Sequence, residues 1–497
     1  MSRPSLPELA RRGPVHFMGV GGAGMCALAE MLVRSGVEVS GCDLRPGAGT
    51  EALVALGARV EHGHDPAHLD PAPAALVVSA AVPGDHPEIE AARAAGIPVI
   101  KRAVALGEWV ESGTVVAVAG THGKTTTTAM ATEILTAAGR DPTGFVGGRV
   151  PAWGGNLRMG GSDLFVVEAD EYDRSFHALT PDVAIVTNLE ADHLDIYGDL
   201  EGIREAFLHF VDSVALDGRI AVCGDDPGAS GLLAAAGNRG YSYGAHAGSQ
   251  LRAVDLTLGR AGSRFTVVEE GIDRGEVTLR VPGLHNVLNA LGAAAAARHL
   301  GVGWEAVAEG LRAFVGVDRR FQRLGEAADV VVVDDYAHHP TEIEATLTAA
   351  RVGFDEVSGR GRLVAVFQPH LYSRTRDFAG DFGAALLLAD VVWVTDVYPA
   401  REAPIPGVTG ETVVQAIREA AVNADAAELA SAADAGDAAK RAAVEIHSHP
   451  ALDTLPEAVA ATLRAGDLCI TLGAGSIEAV APRILGLLQA KEGKGNA

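Results

Sequence analysis

The chain of 497 residues contains few cysteines and few lysines, and it has no long apolar run. Its four cysteines (Cys26, Cys42, Cys223 and Cys469) are scattered without C-x-x-C spacing, so the sequence indicates neither a disulfide framework nor a zinc site. We predict that each is a small buried apolar side chain rather than a nucleophile. No apolar stretch approaches the roughly 18 residues that span a bilayer, and the N-terminal residues lack the apolar core of a secretory signal. These absences favour a cytoplasmic protein with no membrane insertion.

Basic residues are also fewer than acidic residues. The chain carries 40 basic and 64 acidic residues, which gives a formal net charge of −24. Nucleic-acid binding depends on clustered Lys and Arg, so this balance argues against a nucleic-acid partner. With 48% hydrophobic and 21% charged residues the composition is that of a globular protein, and its length predicts several domains.

What the sequence has instead is a repeated alternation of short apolar strands, glycine-rich turns and helices. Continuous apolar runs, such as residues 15–20 and 114–119, are typical of strands covered on both faces and therefore of parallel α/β sheets. Residues 251–281 break this rhythm, because two β-type segments follow each other without a helix, and we predict a small antiparallel insertion there. We place domain boundaries near residues 110 and 320. The predicted domains are 1–110, 111–319 and 320–497.

The first glycine turn lies directly after the first predicted strand. Gly19, Gly21 and Gly24 fit the pattern G-x-G-x-x-G, Gly22 lies between them, and Asp43 ends the next strand. The glycines permit a tight turn, and the helix that follows offers free N–H groups to a diphosphate. Three interpretations remain open here: an NAD site with Asp43 on the ribose, a uridine diphosphate site, or a turn that only packs a helix on a sheet.

A second glycine turn follows the strand predicted at residues 114–119. A strict Walker A motif needs a glycine at the position of Val118, so the strict motif is absent. Its functional end is present in Gly123, Lys124 and Thr125: N–H groups can bind phosphate oxygens, the lysine can reach the β- and γ-phosphates, and the threonine hydroxyl can ligate Mg²⁺. Lys124 is the only lysine between residues 102 and 439, in a chain that otherwise uses arginine, which favours a specific role. A surface lysine at a helix start is the alternative, but the helix dipole repels cations there.

Polar residues follow two predicted strands of the middle segment. Glu168 comes directly after one of them, and His193 lies in the loop after the other. Ligands bind beyond the carboxyl ends of the strands in open α/β sheets, so both side chains are expected beside the second glycine turn. Glu168 suits Mg²⁺, and His193 could bind a second metal ion or the γ-phosphate. Their acidic neighbours are expected to form a solvated loop: Asp170, Glu171, Asp173, Glu190 and Asp195.

Histidines and arginines of the third segment have two interpretations each. His338 could contact substrate or cap the helix that follows it. His370, Arg374 and Arg376 could bind a carboxylate or phosphates, for which the guanidinium group is suited, or they could form surface ion pairs.

Six motifs together resemble those of the Mur ligases. They are GTHGKTTTT (120–128), EADEYDRSF (168–176), TNLEADHLDIYGD (187–199), PGLHNVLNALGA (282–293), DDYAHHPTE (334–342) and FQPHLYSRT (367–375). Two further stretches, HFMGVGGAGM (16–25) and DVYPAREAPIPGV (396–408), narrow the resemblance within the family. The resemblance implies three α/β domains: a UDP-sugar-binding Rossmann-like domain, a central P-loop ATPase domain with a parallel sheet, and a Rossmann-like C-terminal domain.

The resemblance also implies roles for individual residues. Lys124 resembles the phosphate-binding lysine, Thr125 and Glu168 resemble Mg²⁺ ligands, and His193 resembles the histidine at a second Mg²⁺. Asn289 resembles an adenine-contacting asparagine. The remaining residues implied for ATP are Gly120, Thr121, His122, Gly123, Thr126, His285, Arg320 and Asp335, and the last two are also implied as catalytic. The residues implied for the UDP-sugar, in place of NAD, are Gly19, Gly21, Gly22, Gly24, Asp43 and Ser79.

The implied reaction is ATP-dependent. ATP would phosphorylate the carboxylate of UDP-N-acetylmuramate, and the amine of L-alanine would attack the resulting acyl phosphate. The expected ligands are these three small molecules and Mg²⁺. The protein itself is expected to be a monomer or a weak homodimer. Three alternatives remain: a ligase that adds a tripeptide to the same sugar nucleotide, a nicotinamide-dependent dehydrogenase, and a non-catalytic nucleotide-binding regulator.

Overall fold

The computed structural model describes residues 3–355, 361–400, 402–432 and 443–495, so Arg401 of the motif at 396–408 lies outside the described residues. The described chain contains three β-sheets, of five, ten and six strands. By packing it divides into two compact units. The first contains the chain up to Leu256 with Phe265–Thr278 and Asn286–Val317. The second contains Thr257–Arg264, Leu279–His285 and the chain from Asp318 onward.

The first sheet is parallel throughout. Its strands are β1 (Val15–Met18), β2 (Val39–Asp43), β3 (Arg59–His62), β4 (Ala75–Val78) and β5 (Val99–Lys101). Their order is β3-β2-β1-β4-β5, and every neighbouring pair is parallel. The accompanying helices are α1 (Leu6–Ala10), α2 (Ala23–Arg34), α3 (Ala48–Ala55), α4 (Pro87–Ala94) and α5 (Arg102–Val110). The strand order reverses at β1, which opens a crevice beyond its carboxyl end, where the first glycine turn lies.

The central strands β1, β2 and β4 of this sheet are buried, as their continuous apolar runs predict. Phe17 of β1 packs into a core that includes Leu28 of α2 and Leu106 of α5. The next residue, Met18, faces the other side and packs into a core that includes Ile89 of α4. Successive side chains of the strand therefore enter two different apolar cores.

The second sheet carries the second glycine turn. Its strands are β6 (Thr114–Ala119), β7 (Thr143–Val150), β8 (Gly155–Arg158), β9 (Leu164–Glu168), β10 (Val183–Val186), β11 (Arg219–Cys223), β12 (Gly240–Gly244), β13 (Leu251–Gly259), β14 (Gly262–Glu269) and β15 (Ile272–Leu279). The helices are α6 (Lys124–Ala137), α7 (Leu194–Tyr197), α8 (Leu200–Ser213), α9 (Pro227–Ser230), α10 (Leu233–Ala236), α11 (Leu284–His299) and α12 (Trp304–Ala313). The strand order is β15-β14-β13-β12-β11-β10-β6-β9-β7-β8. Because β9 and β10 are the parallel neighbours of β6, the carboxyl ends of these three strands lie side by side.

The edge strands β13, β14 and β15 follow one another in both sequence and space. Only residues 260–261 and 270–271 connect them. Connections of two residues join antiparallel strands, since parallel strands need a long crossover. This arrangement agrees with the antiparallel insertion that the sequence predicts at residues 251–281.

The third sheet is parallel except at one edge. Its strands are β16 (Gln322–Ala327), β17 (Val330–Asp335), β18 (Leu363–Phe367), β19 (Val391–Val394), β20 (Glu445–Ser448) and β21 (Leu468–Leu472), in the order β16-β17-β21-β18-β19-β20. Only β16 is antiparallel to its neighbour β17. The helices are α13 (Pro340–Asp355), α14 (Tyr372–Asp377), α15 (Ala379–Leu386), α16 (Gly410–Ala432), α17 (Leu455–Thr462) and α18 (Val480–Gly495). Apolar cores cover both faces of this sheet.

The predicted architecture of three α/β sheets is confirmed. None of the helices in the described ranges has both the length and the apolarity that a membrane crossing requires.

Candidate active site

The second glycine turn joins β6 to α6 through four residues. Gly120 and Gly123 have positive φ angles of 139° and 82°. A Cβ atom at Gly120 would overlap Oγ1 of Thr187, so glycine is required at this position. The turn brings the first N–H groups of α6, which have no partner within the helix, to the open end of the strand.

The polar end of β10 holds this turn in place. The Asn188 side chain accepts a hydrogen bond from the N–H of His122 at 2.7 Å and donates to its carbonyl oxygen at 3.1 Å. Thr187 donates to the same oxygen at 2.6 Å, and Oγ1 of Thr121 accepts from the N–H of Glu190 at 2.9 Å. Asn188 is absent from the predicted site, although its position directly after a buried strand is a signal for it.

Lys124 begins α6 and directs its ammonium group back into the turn. Nζ donates to the carbonyl oxygens of Gly120 at 2.7 Å and of Thr121 at 3.1 Å, and it forms an ion pair with Glu171 at 2.7 Å. Glu171 is only 3% exposed. The prediction that Glu171 belongs to a solvated loop is therefore wrong, because this carboxylate is the buried counter-ion of Lys124.

The charge state of this pair follows from its surroundings. Burial alone would lower the pKa of Lys124, but Glu171, Asp170 and Glu168 together hold that pKa above its usual value. Burial raises the pKa of Glu171 to about 7, although Lys124 opposes the effect. Lys124 therefore remains a cation at neutral pH. Glu171 can take up a proton near neutrality when the lysine turns to another anion.

Thr125 and Glu168 form the second half of the site. Glu168 ends β9, where the sheet pairs it with Val118 of β6. Oγ1 of Thr125 donates to the Glu168 carboxylate at 2.9 Å, and the N–H of Gly147 donates to the same group at 2.6 Å. A hydroxyl and a carboxylate in contact beside a phosphate-binding turn supply the oxygen ligands that Mg²⁺ prefers. The residues present therefore fit this ion.

His193 lies in the loop after β10, at a φ angle of 51°. Its Nε2 is 3.8 Å from the carboxylates of both Glu171 and Asp192. Its ring packs edge-on against Tyr172 with 5.2 Å between the ring centres. Glu171 thus links His193 to Lys124, and the structure brings the histidine to the phosphate turn through a shared carboxylate.

Two further predicted residues surround the turn. Asn289 of α11 is buried, and its Oδ1 lies only 2.5 Å from where a Cβ atom at Gly123 would be. Thr126 is buried in the first turn of α6. The Asn289 amide therefore contacts the turn itself, beside the expected position of the phosphates.

The first glycine turn follows β1. The N–H groups of Gly19 and Val20 donate to the carbonyl oxygen of Cys42 at 2.8 and 3.1 Å. The Asp43 carboxylate accepts from the N–H of Gly21 at 2.8 Å, and a side chain at Gly21 would collide with it. Asp43 therefore holds the turn, whereas the NAD interpretation places it on a ribose.

One cavity, of about 180 Å³, is shared by the first glycine turn and Glu168. Gly22, Gly24, Ser79 and Glu168 are among the residues that line it. Arg102, the first residue of α5, also lines this cavity. Arg102 is not among the residues predicted for the site, although its position directly after β5 is a signal for it. A ligand that extends from the first glycine turn can reach Glu168 within this space.

A separate group of predicted residues lies in the second unit. Asp335 ends β17 and is buried, and its carboxylate accepts from the N–H groups of Phe321 at 2.6 Å and Ala337 at 2.7 Å. Burial raises the pKa of Asp335 to about 6, and Arg320 opposes this effect. Arg320 itself donates to Glu342 at 3.4 Å. Arg320 and Asp335 thus belong to one electrostatic cluster.

His285 joins this cluster from the first turn of α11. Burial, and then the positive charge of Arg320, lower the pKa of His285 to about 4. Its imidazole is therefore neutral at neutral pH and has one nitrogen able to accept a hydrogen bond.

His338, His370 and Arg374 lie together in the second unit. The rings of His338 and His370 are 5.5 Å apart between centres, and Nδ1 of His370 is 3.4 Å from the guanidinium of Arg374. Arg374 is buried. Arg376 does not join them, because it is exposed and pairs with its neighbour Asp377 at 2.7 Å.

All four cysteines are buried, as predicted. Burial raises the pKa of Cys26 and Cys223 to about 11 and that of Cys469 to about 12, so these thiols are protonated and unreactive at neutral pH. Cys42 differs from them, because it contacts polar side chains.

These features are those of a nucleotide-dependent enzyme of the P-loop type: a glycine turn between a strand and a helix, and a threonine–carboxylate pair whose carboxylate lines the same cavity as the first glycine turn. Three family models match the chain: "Mur ligase family, catalytic domain" at residues 14–113, "Mur ligase middle domain" at 118–297 and "Mur ligase, glutamate ligase domain" at 319–475. The chain belongs to the Mur ligase family, as its motifs indicate.

Similar proteins include ligases of two specificities. The UDP-N-acetylmuramate–L-alanine ligase of Acidothermus cellulolyticus is 47% identical over 480 residues, which cover 96% of this chain and 95% of that protein. The solved UDP-N-acetylmuramate–alanine ligase of Thermotoga maritima has a TM-score of 0.76 at 29% identity, with 96% and 99% of the two chains covered. The solved murein peptide ligase of Psychrobacter arcticus has a TM-score of 0.64 at 28% identity, with the same coverage.

Proposed function

We propose that this chain ligates L-alanine to the carboxylate of UDP-N-acetylmuramate, with conversion of ATP to ADP and phosphate, as a step of peptidoglycan synthesis. The observation that carries the proposal is the cavity shared by the first glycine turn and Glu168, because it gives a sugar nucleotide a path to the carboxylate that contacts Thr125. The identity of 47% over nearly the full length of an alanine ligase supports the same substrates.

ATP is proposed to place its phosphates on the second glycine turn. Lys124 would exchange the Glu171 carboxylate for the β- and γ-phosphates, and Glu171 would then take up a proton, since burial raises its pKa to about 7. The residues proposed to bind ATP, as the family resemblance implies, are Gly120, Thr121, His122, Gly123, Lys124, Thr125, Thr126, Asn289, His285, Arg320 and Asp335.

Thr125 and Glu168 are the proposed Mg²⁺ ligands, with His193 at a second ion. Bound Mg²⁺ supplies positive charge to the phosphoryl oxygens. The chain itself provides orientation, since Gly147 and Thr125 hold the Glu168 carboxylate by hydrogen bonds within the protein.

The sugar nucleotide is proposed to bind along the first glycine turn and into the shared cavity. The residues proposed for it are Gly19, Gly21, Gly22, Gly24 and Ser79, with Asp43 holding the turn. Arg102 lines the cavity and would attract the muramoyl carboxylate, since guanidinium groups bind carboxylates by two parallel hydrogen bonds.

The reaction needs an activated carboxylate, because a carboxylate and an amine do not condense at neutral pH. Transfer of the γ-phosphoryl group to the muramoyl carboxylate gives an acyl phosphate. The alanine amine attacks its carbonyl carbon, and phosphate leaves from the tetrahedral intermediate. Negative charge accumulates in both steps, and we assign its stabilisation to Lys124 and the N–H groups of the turn.

The C-terminal segment is proposed to bind the amino acid. His338, His370 and Arg374 form the cluster best suited to its carboxylate, and Arg376 is a weaker candidate because Asp377 already pairs with it. We retain domains 1–110, 111–319 and 320–497, a cytoplasmic location and a monomer or weak homodimer as further parts of this proposal.

Phosphate release tests the proposed reaction against its rivals. The assay supplies ATP, Mg²⁺ and UDP-N-acetylmuramate with L-alanine, glycine, L-serine or a tripeptide in turn. The fastest release is expected with L-alanine. Fastest release with the tripeptide would identify the tripeptide-adding ligase, and release that no amine stimulates would indicate the nucleotide-binding regulator. Calorimetric titration with NAD tests the dehydrogenase, and we expect no binding.

A further inference from the structure

Four side chains with metal-binding donor atoms meet next to the first glycine turn, outside the site proposed above. They are His16 of β1, Cys42 of β2, His64 in the loop after β3, and Glu88 in the first turn of α4. His16, Cys42 and Glu88 are at most 1% exposed, and the His64 side chain is 10% exposed. The proposed ligase reaction uses none of them.

The donor atoms of His16, Cys42 and Glu88 all lie within 4.8 Å of one another, and His64 adds a fourth donor beside Cys42 and Glu88. Nε2 of His16 is 3.2 Å from the Glu88 carboxylate, and Sγ of Cys42 is 3.4 Å from it. Nδ1 of His64 is 3.1 Å from Sγ and 4.0 Å from Glu88. Tetrahedral zinc with bonds of about 2.0 to 2.3 Å separates its ligand atoms by roughly 3.3 to 3.8 Å. These four separations, from 3.1 to 4.0 Å, bracket that range.

Hydrogen bonding within the described chain does not account for this cluster. Nε2 of His16 is buried and has no hydrogen-bond partner, although Glu88 lies close to it. Nδ1 of the same ring contacts Oγ of Ser40 at 2.8 Å, which orients the imidazole and directs Nε2 into the cluster. Among the described residues, the only hydrogen bond to the fully buried Glu88 carboxylate comes from the weak Cys42 S–H donor. Burial of such a carboxylate is costly unless a proton or a cation neutralises it, and a metal ion within the cluster would do so.

The surroundings have the character of a structural metal site. Met18, Leu76 and Ile89 belong to the apolar core that contains Cys42, so the site is dry. The contact between His16 and Ser40 is the outer-shell hydrogen bond that metal-binding histidines usually make. Sulfur and nitrogen donors favour Zn²⁺ over Mg²⁺ or Ca²⁺, which prefer oxygen. The partly exposed His64 provides the route by which an ion enters.

We propose that His16, Cys42, His64 and Glu88 bind a structural zinc ion. Four protein ligands leave no open coordination position, so this ion stabilises the domain and does not catalyse. On binding, the Cys42 S–H bond breaks, its proton goes to solvent and a zinc–thiolate bond forms, with no redox change. Because the Cys42 carbonyl oxygen accepts from Gly19 and Val20, the ion also fixes the first glycine turn.

Cobalt substitution tests this site. The full chain is stripped of metal with a chelator and titrated with Co²⁺ in excess Mg²⁺, which occupies the oxygen ligands of the ATP site. We expect a thiolate-to-cobalt charge-transfer band and the visible bands of tetrahedral cobalt, both complete at one equivalent and abolished by Zn²⁺. Cys42→Ser should lose the charge-transfer band. Cys223→Ser, which removes a buried thiol elsewhere in the same unit, should keep it.

Two further measurements keep the test decisive. Zn²⁺ should raise the Tm of the wild type and of Cys223→Ser but not that of Cys42→Ser. His64→Gln changes the most exposed ligand and should lower Zn²⁺ affinity on the order of tenfold or more, even if Cys42→Ser fails to fold. The absence of a charge-transfer band in the wild type would overturn the proposal, and so would a band that survives in Cys42→Ser.

Discussion

At the scale of single residues, the lysine proposed to bind phosphate forms an ion pair with a carboxylate of the same chain. Glu171 is buried, the Lys124 side chain is only 12% exposed, and their charged groups are 2.7 Å apart. Removal of one member of a buried pair is costly because the other is left without a partner. Substitutions at Lys124 and Glu171 can therefore separate the contribution of this pair to stability from the contribution of Lys124 to catalysis.

Lys124→Ala is expected to abolish phosphate release and to lower the free energy of unfolding by about 3 to 5 kcal/mol at pH 8, because Glu171 loses its counter-ion. The double variant Lys124→Ala/Glu171→Gln should regain most of that stability and none of the activity. Urea unfolding and the phosphate-release assay measure the two effects. Near-normal turnover of Lys124→Ala would contradict the phosphate role, and an equally unstable double variant would contradict the pairing.

Glu168→Gln tests the proposed Mg²⁺ site. The amide still accepts from Thr125 and Gly147 but supplies no negative charge to the ion. We expect the Mg²⁺ concentration for half-maximal phosphate release to rise at least about tenfold, or activity to be lost. Glu201→Gln, at an exposed helix position, is the matched control and should behave as the wild type. An unchanged Mg²⁺ dependence of Glu168→Gln would argue against this ligand.

The pKa of His285 predicts how stability depends on pH. A histidine whose pKa falls from 6.5 to about 4 on folding stabilises the native state above pH 6.5, and this contribution is lost as the pH falls towards 4. The loss between pH 7.5 and pH 5 should be about 2 kcal/mol. Urea unfolding at both pH values should show a smaller loss for His285→Gln. An identical loss in both proteins would assign the acid sensitivity to other groups.

Residues beside the glycine turns were predictable, but their partners were not. Lys124, Thr125 and Glu168 stand at fixed positions after strands, so sequence order places them together. Glu171 was predicted to be solvated because its burial depends on the direction of the Lys124 side chain, which no local pattern records. Arg102 was not predicted because the cavity that it lines is formed by segments that are distant in the sequence.

At the scale of elements, the strand–turn–helix unit from β6 to α6 depends on glycine for two separate reasons. Gly120 has a positive φ angle and also faces Thr187 of the neighbouring strand. Gly139, just after the same helix, has a φ angle of 72° but no atom within 4 Å of an added Cβ. The two positions separate backbone strain from close packing.

Gly120→Ala should abolish ATP binding, because the new methyl group displaces the turn from the end of β10. Gly139→Ala should lose about 1 kcal/mol of stability through backbone strain and keep its activity. Calorimetric titration with ATP and urea unfolding of both variants measure these effects. Equal ATP affinity in the two variants would show that the fit of the turn against Thr187 does not matter.

Apolar strands were predictable, and polar strands were not. The predicted runs correspond to buried strands such as β6, β10 and β18. Short or exposed strands were not predicted. For example, β3 has the sequence RVEH and β20 has the sequence EIHS, and neither contains an apolar run. Their pairing with a neighbouring strand defines them, and that information is not local.

At the scale of the whole molecule, the net charge of −24 opposes all the proposed anionic substrates. Local groups must therefore overcome a repulsive field: the N–H groups of the two glycine turns, Lys124 and Arg102. The number of domains followed from chain length and strand rhythm. The proposed metal cluster could not be predicted from the sequence, because its four ligands come from four separate elements and show no motif spacing.

Association with ATP should become faster as salt is added from low to physiological concentration. Screening shortens the reach of the negative field from about 30 Å to about 8 Å between 0.01 and 0.15 M salt, so the repulsion fades. We expect the association rate of a fluorescent ATP analogue, measured by stopped flow at constant free Mg²⁺, to rise about two- to fivefold. A rate that falls over this range would show that local cations dominate the approach.

The pairing of Val118 with Glu168 has a consequence for comparing distant relatives. Strand side chains alternate between faces, so one residue inserted or deleted in β6 or β9 would turn Glu168 away from Thr125. Alignments of this family should therefore be free of gaps at residues 114–125 and 164–168. Those two stretches are the natural anchors from which sequences too divergent for overall matching can be aligned.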